Sequence, residues 1–391
     1  MASTPNTITN LIPTLYEAVD VVSRELIGFI PAVTRDSSAE RAAKDQVINI
    51  PIVPAIAAAD IAPAVTAPDD GNATIGNTTM TISKSRYAPV RWNGEEQRTI
   101  GMTGIYAQVN RDRFAQAMRV LVNEVEADLA ALHVNASRAY GTYNVQPFGT
   151  ASDLSDAAQM RKILEDNGAP QSDLQMVLGS SAIANIRGKQ SVLFKLNEAG
   201  TDSLLRQGII GDLEGFALHN SAQVKTAVTA GTNNGSATTN SAGYAVGDTT
   251  ITLASAGTGT IIAGDIITFA GDTNKYVVKT GDTDVSNGGT IVLQEPGLRV
   301  AIAASPTVIT TVAATDRNMA FSRSALALVT RAPAMPEGGD SADDVMEITD
   351  PVSGLAFQIA MYRQYRQVRY EIGLAWGVKV IAPRHLALLI G

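Results

Sequence analysis

The chain of 391 residues carries 30 lysines and arginines against 38 aspartates and glutamates, and 45% of its residues are hydrophobic. Its net charge of -8 argues against a nucleic-acid-binding surface as the main function, because phosphate contacts need clustered positive charge. The absence of cysteine excludes disulfides, thiolate nucleophiles and cysteine-ligated metals. The length exceeds one ordinary core, so two or three structural units are expected.

The first segment, residues 1–35, contains a short amphipathic stretch. Its apolar residues recur at helical spacing, and they are Ile12, Leu15, Tyr16, Val19, Val22 and Leu26. Because so short a helix gains little from propensity alone, it must dock on its own core or on a neighbouring chain. No basic region precedes it, and no apolar run of about 18 to 20 residues occurs in the chain, so we expect neither a secretory signal nor a membrane span.

Two alternating stretches, Gln46 to Ile52 and Thr78 to Val90, predict a pair of strands. A low-charge run lies between them, and Asp69 and Asp70 are its turn candidates. An isolated two-stranded ribbon is marginal in water, so this wide hairpin is either a loop on its own domain or an arm across another subunit. We favour the arm, because the segment has too few large apolar residues for a core of its own.

A long helix is predicted from Asn110 to Tyr140, with Asn110 as its cap and Gly141 at its end. Its length is about 45 Å at 1.5 Å per residue. One stripe of the helix is apolar, and it contains Phe114, Met118, Leu121, Val122, Val125, Leu129, Leu132 and Ala136.

An α/β region follows the long helix. We expect a helix from Ser155 that ends at Gly168, a strand at Leu174 to Leu178, a helix from Ser180 to Lys189 and a strand at Gly215 to His219. At Thr226 the composition changes to a run rich in Gly, Ser, Thr and Asn. Short strands then predict a small antiparallel barrel or sandwich of about 90 residues, and they are Thr250 to Leu253, Asp265 to Ala270, Lys275 to Lys279, Thr290 to Leu293 and Thr307 to Ala313.

The α/β character returns after Asp316. Met319 to Leu328 is a strand or a helix by pattern, and Arg331 to Asp350 is predicted to be an exposed polar loop. The tail from Leu355 to Ile390 is dominated by long strand-like runs. The layout is therefore nested, with a barrel inserted in a core that the chain both opens and closes.

No catalytic constellation is present in the sequence. The three histidines, His133, His219 and His385, are far apart and lack metal-ligand spacing. Asp282 and Asp284 lie in a calcium-like loop that lacks the required Gly and Glu, so a solvated turn is the better interpretation. Ion pairing explains Arg363, Arg366 and Arg369 better than phosphate binding does. We therefore expect neither an enzyme nor a cofactor.

The order of these parts resembles the major capsid proteins of tailed bacteriophages. The spine-like helix, the strand pair, and the stretches Leu174 to Ile186, Gly215 to Val224 and Arg369 to Ile390 carry the resemblance. It implies an α+β fold of the HK97-like class, and the inserted β-barrel narrows it to the P22-like coat family. No single motif is specific, because shell proteins have no active-site signature.

The resemblance also implies a division of the chain. The parts are an N-terminal arm (1–35), an extended E-loop (36–100), a peripheral domain with the spine helix (101–142 and 352–391), an axial domain (143–223 and 315–351) and an inserted β-barrel (224–314).

The implied function is self-assembly, through hexamers and pentamers, into the icosahedral shell that encloses double-stranded DNA. The expected partners are further copies of the chain, a separate scaffolding protein and a portal; packaged DNA would be held without sequence-specific binding, and no membrane is involved. The arm begins close to Met1, which leaves no room for a fused scaffolding region. The protein would be assembled in the bacterial host cytoplasm and reside in the virion.

Residues expected at contacts between subunits are Leu15, Tyr16, Val19, Asp69, Asp70, Arg86, Asp282, Asp284, Arg363 and Arg366. Two alternatives stay open at this point. One is an encapsulin-like shell from a non-viral compartment. The other is a secreted adhesin or surface-binding module built on the β insertion, although the missing signal peptide counts against it.

Overall fold

The computed structural model describes residues 27–52, 58, 60, 61, 63, 76–102, 106–190, 211–349 and 354–391 of a mixed α+β protein. Its helices are α1 (Phe29–Ala32), α2 (Gly94–Met102), α3 (Tyr106–Ala131), α4 (Ser155–Asp166) and α5 (Ser180–Lys189). Its strands are β1 (Thr34–Ala42), β2 (Val47–Ile52), β3 (Gly76–Thr81), β4 (Lys84–Asn93), β5 (Arg138–Gly141), β6 (Leu174–Leu178), β7 (Asp212–Leu213), β8 (Phe216–Asn220), β9 (Thr250–Thr252), β10 (Ile266–Phe269), β11 (Lys275–Thr280), β12 (Thr290–Leu293), β13 (Ile309–Thr311), β14 (Arg317–Ser322), β15 (Leu326–Pro333), β16 (Asp344–Thr349), β17 (Ala356–Gln364), β18 (Gln367–Val380) and β19 (Leu386–Ile390).

The first sheet has the strand order β1-β15-β18-β17-β16, and β4 also pairs with β18. The pairing with β4 runs antiparallel along Gln367 to Trp376. Because β17 pairs with part of the same stretch, β4 must lie on the opposite side of β18. In the part of the chain that the structure describes, no strand pairs with the outer edge of β4. Helix α3 packs against β4 and β18, and a groove lies between this helix and the edge strand β4.

The second sheet places strands from distant parts of the chain side by side. Its central order is β5-β19-β14-β6-β8, with β19 parallel to β5 and antiparallel to β14. Helices α4 and α5 contribute apolar residues to one cluster with this sheet, and Met160, Leu164, Ile183 and Ile186 are fully or almost fully buried there. The predicted α/β core is therefore present, with α4, β6, α5 and β8 close to their predicted positions.

Residues 228–315, here called the β unit, have an apolar core of their own. Its buried side chains include Ile251, Ile267, Val278, Ile291 and Ile309. Strands β9 to β13 of the unit match the five predicted short strands. Strand β11 also pairs with β5, so strand pairing joins the β unit to the second sheet.

Helix α3 confirms the predicted apolar stripe but not its predicted end. Phe114, Met118, Leu121, Val122, Val125 and Leu129 are all buried. The helix begins at Tyr106 and stops at Ala131, followed by a 3-10 turn and then by β5. The prediction of helix up to Tyr140 was wrong because strand pairing with β19 and β11 overrides the local helical pattern of residues 138–141.

Three further predictions need correction. The predicted single strand Thr78 to Val90 is two strands, β3 and β4. The break lies at Ile82, which is buried in a small apolar cluster at the point where strand pairing changes from β2 to β18. The ambiguous stretch Met319 to Leu328 is β14, a 3-10 turn and the start of β15. The predicted exposed loop Arg331 to Asp350 includes the end of β15 and all of β16, which pairs with β17.

Sheet membership also differs from the predicted domain boundaries. Strands β15 and β16 fall within 315–351, which was assigned to the axial domain, yet they pair in the first sheet with β18 and β17. Strand β19 falls within 352–391, assigned to the peripheral domain, yet it lies in the second sheet. The cause is the same in both cases, since long-range pairing and not chain order decides which sheet a strand joins.

Candidate subunit-contact surfaces

The hairpin of β2 and β3 is a two-stranded sheet that leads away from the first sheet. Its six residue pairs run from Val47 with Thr81 to Ile52 with Gly76. Among its described side chains, Met80 is buried at the base of the hairpin and joins a small apolar cluster with Ile82 and residues of β15 and β18. Most of the β3 residues before Met80 are exposed. The predicted strand pair is thus confirmed as a hairpin with little core of its own.

Lys379 fastens the base of this hairpin to β18. Its Nζ donates to Thr78 Oγ1 at 2.7 Å and to the carbonyl oxygen of Thr79 at 2.6 Å. Both bonds go to β3, while Lys379 itself belongs to the first sheet. The ammonium group therefore fixes the direction in which the hairpin leaves the sheet.

We expect Lys379→Met to loosen the hairpin without unfolding the body of the protein, by which we mean the two large sheets and the helices packed on them. The substitution keeps most of the aliphatic stem but removes both hydrogen bonds, so the free energy of unfolding should change by only about 1 kcal/mol. Amide hydrogen exchange of residues 76–81 in the unassembled chain should become at least several-fold faster. Lys279→Met, on an exposed lysine of the β unit, is the matched control. Unchanged exchange in the hairpin would contradict the tether.

Glu126 of α3 anchors the chain at the point where the described residues begin. Its carboxylate accepts the backbone N–H groups of Gly28 at 3.3 Å, Phe29 at 3.1 Å and Ile30 at 2.8 Å, and the Ser221 hydroxyl at 2.8 Å. The side chain is buried, which raises the pKa of its carboxyl group, and the four hydrogen bonds oppose that rise. Glu126 thereby caps α1 from another element.

Gly28 has to be a glycine for this anchor to form. A Cβ at this position would lie 2.7 Å from Ser221 Cβ and 2.8 Å from the carbonyl oxygen of Asn220. Gly28 therefore packs against the end of β8, on the side of α3 that faces the second sheet.

Two tryptophans hold α3 against the first sheet by polar contacts. Trp92 Nε1 donates to Asn110 Oδ1 at 3.0 Å, and Trp376 Nε1 donates to Asp128 Oδ2 at 2.9 Å. Lys84 forms an ion pair with the other carboxylate oxygen of Asp128 at 2.7 Å. Asn110, expected to cap the helix, is instead a buried partner inside it. These contacts make α3 and the sheet one rigid platform.

A groove of about 520 Å³ lies between the edge strand β4 and the first half of α3. Pro89 and Val90 line it on the strand side, and Val109, Ala117 and Val120 line it on the helix side. Val120 is 52% exposed although it is strongly apolar. We call this surface the β4–α3 groove.

Side chains of both charges line the β4–α3 groove, namely Asp112 and Arg113 of α3, and Arg91 lies beside it in a second pocket that Arg113 and Glu96 also line. The Arg113 guanidinium stacks 4.3 Å above the Trp92 ring and donates to the carbonyl oxygen of Arg91 at 3.1 Å. Arg91 is exposed. Neither arginine forms an ion pair with a carboxylate of the described residues.

The predicted contact residues that the structure describes do not gather in one place. Arg86 is exposed on β4 and lies 3.5 Å from Glu124 of α3. Arg363 is the penultimate residue of β17 and lies 3.9 Å from Asp343, while Arg366 occupies the tight β17–β18 turn with a φ of 57°. Their expected role between subunits stays a prediction.

Asp282 and Asp284 lie in the β unit, far along the chain from the arginines. Asp284 accepts from the Ser286 hydroxyl at 2.6 Å, and Asp282 accepts the N–H of Asp284 at 2.8 Å. The loop is therefore a solvated turn held by its own side chains. Five predicted contact residues lie outside the described residues, namely Leu15, Tyr16, Val19, Asp69 and Asp70.

The histidines are dispersed and act as structural groups. His133 is buried, and its Nδ1–H donates to the carbonyl oxygen of Ala130 at 3.1 Å. Burial lowers the pKa of His133 to about 4. His219 Nε2–H donates to Gln175 Oε1 at 2.8 Å across two paired strands. Throughout the described ranges, no group of three or more His, Cys, Asp or Glu could hold a metal ion.

The β unit is fixed to the rest of the chain by hydrogen bonds at β5 and at the 3-10 turn that follows α3. Arg138 is almost fully buried, and it bonds to Asn274 at 3.1 Å and to Asp166 of α4 at 3.1 Å. Gln294 Nε2 donates to the carbonyl oxygen of Val134 at 3.1 Å. The orientation of the β unit is therefore specified by hydrogen bonds as well as by strand pairing.

Sequence reasoning missed Glu126 as an anchor, although a signal was present. Glu126 lies four residues after Val122 and three before Leu129, inside the apolar stripe of α3. A carboxylate at such a position is buried unless the stripe is interrupted, and a buried carboxylate requires donors. The donors come from distant backbone, which no local pattern reveals.

Comparison with known proteins finds similarity in structure only. No protein-family model matches the chain. No curated protein matches it in sequence. In the described part, no helix is long and apolar enough to cross a membrane.

Similar solved structures include shells and capsids. A structure from Mycobacterium phage Che8 is 13% identical, with 90% of this chain and 88% of that chain covered and a TM-score of 0.43. The mature capsid of bacteriophage PhiM1 is 10% identical, with 93% and 86% covered and a TM-score of 0.43. A virus-like particle from Pyrococcus furiosus is 7% identical, with 97% and 99% covered and a TM-score of 0.43. With identities and TM-scores this low, we argue the function from the chain's own architecture.

Proposed function

We propose that this chain is the major capsid protein of a tailed bacteriophage, with an HK97-like fold. Many copies would assemble into the icosahedral shell around the double-stranded DNA genome. The observation that carries the proposal is the β2–β3 hairpin, a two-stranded sheet beside two larger sheets that are complete without it, and Lys379 fixes it at its base. Glu126 fixes the chain in a similar way at residues 28–30, close to where the described residues begin.

Such a hairpin makes physical sense only when another surface receives it. Met80 is the one buried side chain of β3, and a two-stranded ribbon alone is marginal in water. Arms that cross to neighbouring copies turn many weak contacts into high avidity, which is how closed shells of one chain are stabilised. Fixed anchors at the base reduce the conformational entropy that each arm loses on docking.

The nested order of parts also supports a coat protein with an inserted domain. The body holds a long helix on one sheet, an α/β layer on the other, and the β unit between β8 and β14. We infer that the β unit is the inserted domain, that the platform of α3 and the first sheet is the peripheral part, and that the α4–α5 layer is the axial part. In this proposal the protein is structural and has no catalytic function.

The partners in this proposal are further copies of the chain in hexamers and pentamers, a scaffolding protein and a portal. The packaged DNA would be enclosed without sequence-specific contacts, since the chain has a net charge of -8. Assembly would take place in the host cytoplasm, and the mature protein would be in the virion.

The test is assembly of the purified chain, alone and with the scaffolding protein encoded beside it. Negative-stain electron microscopy and sedimentation should find closed shells or sheets of hexamers. A stable monomer under both conditions would contradict the proposal and leave a surface-binding module as the next hypothesis. A shell that forms beside a gene for a cargo enzyme, with no portal gene nearby, would favour the encapsulin-like alternative.

A further inference from the structure

We propose that Arg91, Arg113 and Arg369 form a binding site for a phosphate group. The three side chains line one pocket of about 390 Å³ at the edge of the first sheet. They come from β4, α3 and β18, so distant parts of the chain supply the site. Its other lining residues are Pro89, Glu96 and Gln364. The site belongs to a single copy, so this inference goes beyond the proposed shell function and does not depend on assembly.

Arg91 and Arg369 are directly opposite each other in the antiparallel pair of β4 and β18. Opposite residues of such a pair project from the same face of the sheet, with Cβ atoms about 5 Å apart. Two like charges in this arrangement destabilise a sheet. A negatively charged group held between the two guanidinium groups would change this repulsion into attraction.

Arg113 brings a third guanidinium group to the same place from helix α3. Its guanidinium carbon lies 4.3 Å from the centre of the Trp92 ring, and its Nη1 donates to the carbonyl oxygen of Arg91 at 3.1 Å. Both contacts fix the side chain before any ligand arrives, which reduces the entropy lost on binding. Neither contact neutralises its charge.

The carboxylates near the pocket do not balance the three arginines. Arg369 forms the expected ion pair, with its Nη2 2.6 Å from Glu371 Oε1. Glu96 lines the pocket, but its Oε2 accepts the N–H of the residue before α2 at 3.0 Å. Over the ranges that the structure describes, Arg91 and Arg113 form no ion pair. Positive charge is therefore in excess around this pocket.

Converging guanidinium groups suit a phosphate better than a carboxylate. Each guanidinium group has five N–H donors in a planar fork that fits the oxygens of either anion. One bidentate arginine already satisfies a carboxylate, whereas the tetrahedral oxygens of a phosphate can accept from several arginines at once. Gln364 can add an amide donor from the end of β17. The ligand is therefore a phosphate oxyanion, supplied either as free phosphate or by the phosphodiester backbone of a nucleic acid.

Thermal unfolding of the unassembled chain tests the site with inorganic phosphate. At constant ionic strength, set with sodium chloride, phosphate should raise the unfolding temperature, because a ligand of the folded state stabilises it. Arg91→Gln should lose at least half of this increase, and Arg384→Gln should keep it. Arg384 is an exposed arginine beyond the far end of β18, so it controls for the loss of one positive charge. An equal increase in all three proteins would overturn the proposal.

Measurements without phosphate separate a ligand site from a structural role of Arg91. Arg91→Gln relieves the repulsion with Arg369, so in chloride alone its unfolding temperature should equal or exceed that of the unmodified chain. A clear decrease in chloride, with no further effect of phosphate, would show that Arg91 stabilises the sheet by itself and would contradict the site.

A fluorescent double-stranded oligonucleotide identifies the source of the phosphate. If the phosphodiester backbone binds, Arg91→Gln should weaken binding to the unassembled chain at least fivefold relative to Arg384→Gln, measured by fluorescence anisotropy. The slope of log affinity against log salt concentration should also fall by about 1, since one phosphate contact is lost. An oligonucleotide that does not bind, together with the expected response to inorganic phosphate, supports the site with free phosphate as its ligand.

An acidic protein segment is the competing occupant, and a polyglutamate peptide serves as its probe. Binding of this peptide through Arg91, with no Arg91-dependent response to phosphate or to the oligonucleotide, would overturn the phosphate assignment. Binding of phosphate that the peptide does not displace supports it.

Discussion

Glu126→Ala is expected to lower the free energy of unfolding by about 3 to 5 kcal/mol, measured by urea denaturation of the unassembled chain. The carboxylate accepts three backbone N–H groups of residues 28–30 and the Ser221 hydroxyl in a site with almost no solvent exposure. Removal leaves these donors without their acceptor, at about 1 to 3 kcal/mol for each one that stays unpaired, and the expected loss corresponds to two or three of them because the Ser221 hydroxyl can rotate to another acceptor. The Ala variant also leaves a cavity between α3, residues 28–30 and Ser221.

Two variants on the same helix sharpen this prediction. Glu124→Ala removes a carboxylate that is one-third exposed and lies 3.5 Å from Arg86, so the loss should stay below about 1 kcal/mol. Glu126→Gln keeps one acceptor oxygen but turns an amide N–H₂ toward N–H donors. Its loss in the free energy of unfolding should therefore lie between those of Glu124→Ala and Glu126→Ala. If Glu126→Ala and Glu124→Ala were equally mild, the anchor would not stabilise the body.

His133 is expected to make the body less stable as the pH falls from about 6.5 toward 4. Burial lowers its pKa to about 4, whereas the unfolded chain has the ordinary value of 6.5. Between these two values the unfolded state binds more protons than the folded state, so stability decreases with falling pH. At up to about 1.4 kcal/mol per pH unit, the loss attributable to His133 approaches about 3 kcal/mol.

The measurement is the free energy of unfolding against pH for the unmodified chain and for His133→Asn, whose amide can still donate to the Ala130 carbonyl oxygen. The difference between the two curves isolates His133. The difference curve is needed because burial raises the pKa values of Glu126, Asp156 and Asp265. These three groups make the free energy of unfolding depend on pH with a slope of the opposite sign. His385→Asn is the control, since His385 is only half-buried and its difference curve should be flatter. A flat curve for His133→Asn would contradict the prediction.

The sequence predicted those parts of the fold whose signal is local. The stripe of α3, the strands β6 and β12, and the helices α4 and α5 have periodic patterns that burial in the structure bears out. Strand β1 was missed because TRDSSAERA has almost no strand-forming residues, and its pairing with β15, nearly 300 residues away, decides its conformation. Helix α2 was missed because none of its residues is buried, so its pattern carries no apolar stripe.

Candidate contact surfaces were harder to predict than the fold. The hairpin could be recognised because its two strands alternate and the run between them is poor in large apolar residues. The β4–α3 groove could not, because it depends on β4 being an edge strand, and strand order is a property of long-range pairing.

The order in which the parts can fold follows from the placement of the β unit. Its strands pair with one another over short sequence distances, whereas β1 pairs with β15 and β5 with β19 over some 250 to 300 residues. Local pairings close faster, because the entropy lost in closing a loop grows with its length. Once folded, the β unit holds residues 228 and 315 together through the bridge between Val228 and Thr315, which replaces a loop of about 90 residues by a short link. The connection between β8 and β14 is then effectively short, so β14 can pair with β6 at a smaller entropic cost. The insertion would therefore act as a folding nucleus for the core that surrounds it.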